Sequence, residues 1–187
     1  MATKIYIDQG HNPQNPNAGA EGNGYREQDL VYEIGVRTAA ILRANGLETR
    51  LSRPTPQTQL GTSTASSLAA RVNDANAWGA DYFISLHANA SEITSASGSE
   101  AFVFSRGSEA YPLAENILTE LNRSTGLENR GVSVRTNLYV LRRTQMPATL
   151  IELGFITNPY DAALMADSPE LFAEGVANGV LAYLGML

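Results

Sequence analysis

Short apolar runs alternate along the chain with stretches of helical periodicity, a pattern that predicts an α/β domain. Residues 5–8 (IYID) read as a first buried strand, followed by a polar, Gly- and Pro-rich loop over 10–26. Residues 28–44 place Val31, Ile34, Ile41 and Leu42 on one helical face, and Gly46 is a stop signal. A second strand fits 47–52. The Pro-, Thr-, Gln- and Ser-rich stretch 53–67 reads as a surface excursion, after which Ser67 can cap a helix over 68–78 closed by Gly79. Strands follow at 82–87 (YFISLH) and 100–105 (EAFVFS). A helix over 109–124 carries Leu113, Ile117 and Leu121 on its buried face, with Pro112 in its first turn. Residues 137–141 suit a short strand and 148–152 (ATLIE) a buried one. The helices 159–165 and 169–184 close the chain. With no internal repeat and no composition break, residues 1–187 are expected to form one α/β domain.

Composition narrows the chemistry. The 187 residues are 43% hydrophobic and 17% charged, enough apolar material for a substantial core. A formal net charge of −6 argues against a partner built of nucleic-acid phosphates. Zero cysteines exclude disulfides, thiolate metal sites and a cysteine nucleophile, and only two histidines remain as nitrogen ligands. Residues 1–4 lead straight into the first strand, with no basic and long apolar leader. The uncharged stretch 175–187 is shorter than the ~20 residues a bilayer span requires, so no membrane span is expected.

Chemistry-bearing residues gather where strands end. His11 follows the first strand, His87 ends the third, and Glu152 ends the ATLIE strand. Ligands of open α/β sheets bind outside the carboxyl ends of the strands. A lone histidine there is commonly a hydrogen-bonded structural residue, but both histidines of the chain fall at the same edge. Glu152 lies among Thr149, Leu150, Ile151, Leu153 and Phe155, where an unpaired carboxylate is costly. Glu27 stands at the start of the first helix, where the helix dipole favours a carboxylate. It supplies anionic oxygen beside two neutral nitrogens, and a His2Glu set with an open position is a catalytic zinc arrangement. Glu21 competes for the ligand role from a Gly-rich setting that gives it no fixed orientation. With His11, Glu27 and His87 on the metal, Glu152 is left to move protons in an amide hydrolysis. No HExxH helix is present, so this is not that type of metalloprotease, and with neither GxGxxG nor GxxxxGK[ST] a phosphate loop at Gly22-Asn23-Gly24 is a poor lead; no cofactor-binding residues are expected beyond the metal ligands. Ser85 and Ser105 lack a nucleophile elbow. The pair Arg142-Arg143 is too small for a nucleic-acid patch and suits solvent or a substrate carboxylate.

These residues stand in a context that resembles the zinc-dependent N-acetylmuramoyl-L-alanine amidases of the amidase-3 type, from about residue 4 to 184. Its landmarks are Asp8-Gln9-Gly10-His11, Glu27, Ala75-Asn76 with Ala80-Asp81, Ser85-Leu86-His87-Ala88-Asn89, Gly98-Ser99-Glu100, and the PATLIELGFITN run from Pro147 to Asn158. The resemblance implies Zn2+ bound by His11, Glu27 and His87, Glu152 as the catalytic acid–base, and a twisted, mostly parallel sheet flanked by helices on both faces. It implies cleavage of the amide joining the lactyl group of N-acetylmuramic acid to the stem peptide's L-alanine. The partner is then peptidoglycan, its muramyl peptide strands, met outside the cytoplasm by a chain expected to be monomeric. Many members carry Pro and Gly where Gln9 and Asn12 stand, so the loop around His11 can differ. No long insertion separates Asn89 from Gly98, which predicts a site without the blocking helix of some cell-division members. A wall-binding module without catalysis, and a zinc peptidase cutting within the stem peptide, are the alternatives. A phage or prophage lysin, a sporulation or autolytic amidase, and a domain of a longer secreted protein all fit as sources.

Overall fold

The computed structural model describes residues 2–187. A six-stranded sheet has the order β4-β1-β5-β8-β6-β7. Its strands are β1 (Lys4–Gln9), β4 (Glu48–Leu51), β5 (Tyr82–Asn89), β6 (Ser99–Val103), β7 (Asn129–Val134) and β8 (Ala148–Phe155). The four strands β4, β1, β5 and β8 run parallel; β6 is antiparallel to β8, and β7 is parallel to β6. The expected mostly parallel sheet is therefore present, with one reversed pairing.

Alternation along the strands divides the core. Ile5, Ile7, Ile84, Leu86, Ala101, Val103, Ile151 and Leu153 face one side and pack with α1 (Glu27–Ala44), α3 (Ala110–Thr125) and α6 (Pro169–Tyr183). Tyr6, Phe83, Phe102, Ala148 and Leu150 face the other, under α2 (Thr64–Trp78) and α4 (Tyr139–Arg143). Burial on both faces explains why the central strands read as continuous apolar runs. The short helix α5 (Pro159–Asp167) follows β8, with Asn158 accepting from the amides of Tyr160 and Asp161 as its cap.

The structure departs from the sequence pattern at several places. The 137–141 stretch is not a strand. Leu138, Val140 and Leu141 mark the single turn of α4, which presses onto the second core; four apolar residues in a row suit either element. The true strand is β7, an edge strand whose residues are all exposed or half-buried and so leave no apolar run to reveal it. Helix α2 starts earlier than residue 68. Ser63 and Ser66 form a reciprocal capping box, and Ser67 is a buried residue receiving a bond from Asn17. Within the 10–26 loop, β2 (Glu21–Gly22) and β3 (Tyr25–Arg26) form a small hairpin around Asn23 and Gly24. Both turn residues have positive φ, as a two-residue hairpin of this kind demands. Arg53, placed in the surface excursion, is fully buried; its guanidinium donates to the carbonyls of Gln28 and Pro56 at 3.0 Å each.

Candidate metal and acid–base site

The carboxyl ends of β1, β5 and β8 converge on one site. His11 stands two residues beyond β1, His87 lies in β5, and Glu152 in β8 is its register partner. Glu100 on β6 is in turn the register partner of Glu152. Paired residues share a face, so the order across this edge is His11, His87, Glu152, Glu100.

Glu27 enters from the first turn of α1. Its Oε1 lies 3.1 Å from His11 Nε2 and 3.0 Å from His87 Nδ1. The backbone amide of Ala88 donates to the same oxygen at 3.0 Å, and that of Ala20 to Oε2 at 2.9 Å. These amides fix the carboxylate independently of the histidines. Burial opposes ionisation of Glu27, but the hydrogen bonds from His11 and His87 outweigh it and hold the group well below the usual carboxylate range. On His87 burial favours the neutral ring, and the bond to Glu27 overcomes it, raising its pKa.

Local geometry explains the approach. Gly10 packs against the His87 ring: a Cβ there would stand 2.6 Å from Cε1 and 2.7 Å from the Leu86 carbonyl oxygen. His11 itself has φ of 65°, a left-handed conformation rare outside glycine and asparagine, and one that other contacts must hold. Arg71 does so from α2. Its guanidinium donates to the carbonyl oxygens of Gln9 and His11 at 2.6 Å each and to Asp8 Oδ1 at 2.7 Å. Asp8 Oδ2 accepts from Ser85 at 2.7 Å. Gln9 and Asn12 stitch this loop to its neighbours. Gln9 accepts from the Arg53 amide at 2.9 Å, and Asn12 donates to the carbonyls of Pro16 and Leu60 and accepts from the Leu60 amide.

Glu152 is environmentally different from Glu27. Its Oε2 is buried with no hydrogen-bond partner. Burial, reinforced by the carboxylates of Glu27 and Glu100 and only partly offset by His87, raises its pKa to about 7. Two carboxylates whose surroundings push them apart in this way divide naturally into a fixed anion and a proton carrier. Glu100 is held by the side-chain amide of Asn89.

The donors suit a metal ion. His11, Glu27 and His87 each offer a ligand atom, all within 4.8 Å of one another. Donors around a tetrahedral zinc with bonds of ~2.0–2.1 Å stand roughly 3.4 Å apart, close to the 3.0 and 3.1 Å separations from Glu27. His11 and His87 keep 22% and 18% of their side-chain surface exposed, which leaves a way in from solvent. The short 90–98 segment between β5 and β6 is tied to α5, where buried Asp161 accepts from Ser97 Oγ at 2.6 Å and the Gly98 amide at 3.0 Å.

The four residues expected from the sequence thus come together. Glu21 does not join them; it lies exposed in β2. Arg71 and Asp8 had no role assigned from the sequence. Their signal was present: two opposite charges at positions that the strand and helix patterns bury.

The Amidase_3 family, described as N-acetylmuramoyl-L-alanine amidase, matches residues 5–182. LytC of Bacillus subtilis (strain 168), named an N-acetylmuramoyl-L-alanine amidase, is 34% identical over 183 residues, covering 96% of this chain and 35% of its own length. CwlM of Bacillus licheniformis, of the same name, is 34% identical over 182 residues, covering 95% of this chain and 67% of its own. The chain therefore spans about a third of the first relative and two thirds of the second. Among solved structures, the catalytic domain of CwlV, an N-acetylmuramoyl-L-alanine amidase from Bacillus (Paenibacillus) polymyxa var. colistinus, superposes with a TM-score of 0.85. It is 30% identical, and the match covers 99% of each chain.

Proposed function

The chain belongs to the Amidase_3 family of N-acetylmuramoyl-L-alanine amidases, and on that footing we propose that it hydrolyses the amide between the lactyl group of N-acetylmuramic acid and L-alanine in peptidoglycan. Residues 1–187 are read as one catalytic domain that works outside the cytoplasm, at the cell wall. The observation that carries this reading is the convergence of His11, Glu27 and His87 on one point beside Glu152.

His11 Nε2, His87 Nδ1 and a Glu27 oxygen would hold a zinc ion. When bound, zinc supplies Lewis-acid polarisation of the scissile carbonyl and acidifies water at neutral pH. The chain's own part begins with Glu27, whose two backbone donors keep the carboxylate aimed while the histidines turn to a new partner. Arg71 holds the His11 backbone, so this histidine meets the ion without reordering its loop. Glu152 takes a proton from the attacking water as the new C–O bond forms. It returns that proton to the nitrogen as the C–N bond breaks, releasing a carboxylic acid and the free amine of alanine. A carboxyl poised at about 7 can run in both directions near neutral pH.

The test uses purified chain with zinc on muramyl peptides and on isolated cell walls. Alanine amino termini are expected, with loss on chelation and recovery on adding zinc. Glu152→Gln should keep its zinc affinity, read by calorimetry, while turnover falls by about 10^2–10^4-fold. An active Gln variant would remove the acid–base role, and activity that survives chelation would remove the metal. Products in which sugar and peptide stay joined would favour a stem-peptide peptidase. Wall binding without any released amine would favour a binding module.

A further inference from the structure

Beside the two histidines lies a cavity of about 120 Å3 that the hydrolysis of the amide, as described, does not use. Its walls are mostly apolar: Leu68 from α2, Leu138 and Val140 at α4, and Leu150 from β8, with His11 and His87 at its edge and Asn17 and Tyr139 as the neutral polar residues. Two charged residues also line it, Asp8 and Arg71, but each is spent on the other at 2.7 Å. The cavity therefore offers no free charge, and a mostly apolar lining favours a small, uncharged, apolar occupant.

Position across the sheet edge says which part of a substrate reaches it. Glu152 does not line the cavity; although Leu150 of the same strand does, most of the lining comes from β1, the loop after it and α2 (Asp8, Gly10, His11, Asn17, Leu68 and Arg71), whereas Glu152 neighbours Glu100 on β6. Because Glu152 must serve the departing nitrogen, the amine side of the scissile amide runs toward β8 and β6. The acyl side then points the other way, toward the end of β1 and α2, where His11 and Leu68 line the cavity. In a muramyl amide the acyl group is a lactyl unit, whose only apolar branch is the methyl on the carbon next to the carbonyl. The volume has room for that methyl together with the carbon that carries it, since a water's share of liquid is only about 30 Å3.

We propose that the cavity walled by Leu68, Leu138, Val140 and Leu150 is the subsite for the lactyl methyl, and that it sets acyl-side specificity. The assignment rests on the amidase reading and adds a direction to it: sugar over β1 and α2, peptide over β6 and β7.

The experiment compares two synthetic muramyl dipeptides, one with the lactyl methyl and one with hydrogen in its place, on the zinc-loaded chain. Removing one methyl from a fitted apolar pocket lowers kcat/KM by roughly 10–200-fold, and a loss of at least about tenfold is expected. In Leu68→Phe and Leu138→Phe, which fill the cavity from half-buried positions, the preference for the methyl should collapse. Circular dichroism and zinc titration of each variant verify that fold and metal site survive. Equal rates on both substrates in the unmodified chain would overturn the proposal. So would an undiminished preference in both filled variants. A third dipeptide with glycine in place of alanine tests the other side, and a preference seen only there would overturn the proposal too, by moving the subsite to the amine side. Release of no alanine from either substrate would instead remove the amidase reading, and the subsite with it.

Discussion

Arg71 and Asp8 show how one buried pair can serve both stability and geometry. Both are almost fully buried, and Arg71 reaches the carbonyls of Gln9 and His11 while pairing with Asp8. Burial alone would push the Asp8 carboxyl up. The guanidinium of Arg71 and the Ser85 hydroxyl more than reverse this, holding it below the ordinary range. A carboxyl whose folded pKa is depressed contributes stability that is complete above its unfolded value, ~3.9, and fades as pH falls through the folded one. The melting temperature should therefore drop steeply below about pH 4. Asp8→Asn should flatten that acid limb while lowering stability near neutrality by about 3 kcal/mol or more, because Arg71 is left as an unpaired buried charge. Melting curves from pH 7 downward check both; an acid limb unchanged in the Asn variant would exclude the pair as its source. The same scale explains why Glu152 and Glu27 differ. One carboxylate has donors from two backbone amides and two histidines, the other has a buried oxygen with none.

At the scale of elements, α3 and α6 meet unusually closely. Gly175 and Gly179 lie inside α6, where helix propensity alone would favour alanine by about 1 kcal/mol. A Cβ on Gly179 would stand 2.3 Å from Ile117 Cα and 2.7 Å from its backbone nitrogen. Neither atom is the end of a flexible side chain. Gly179→Ala is thus expected to destabilise, by about 1–3 kcal/mol, although the substitution improves the isolated helix. Denaturant titration decides, and a more stable variant would show that the helices can separate without cost. Elements also mark where the sequence misleads. β7 is an edge strand whose residues are exposed or half-buried, so no periodicity betrays it. α4 is a single turn whose apolar residues suit a strand equally well.

For the whole molecule, the candidate metal site lies at the sheet's edge and none of His11, Glu27 and His87 belongs to either core. The core side chains are packed by α1, α3 and α6 on one face and α2 and α4 on the other, and Glu27 is anchored by backbone donors without an ion. Chelation should accordingly leave the far-ultraviolet circular dichroism unchanged. The stabilisation by zinc should follow mass action, about 2.7 kcal/mol at a hundredfold excess over Kd, and appear as a rise of several degrees in Tm. Loss of secondary structure on chelation would show that the ion holds the fold together. Among the described residues no helix is long and apolar enough to cross a membrane.

The alternation of apolar runs and helical stretches determined the α/β class and most central elements, because buried strands and amphipathic helices must write their environment into residue order. The gathering of both histidines and Glu152 toward one sheet edge was legible for the same reason, since a parallel sheet brings its carboxyl ends together whatever the loops do, although β5 and β8 run on past His87 and Glu152 to Asn89 and Phe155. Glu27 was legible from its motif and its helix start, though not its rotation toward His87, which the Ala20 and Ala88 amides decide. Only the tertiary structure decided the role of Arg71, since a helix pattern records that a position is buried but not which distant backbone it meets. It also decided the cavity beside the histidines. A void is the shape left between α2, α4 and the sheet, set by packing among elements far apart in the chain, and no local stretch of sequence encodes it.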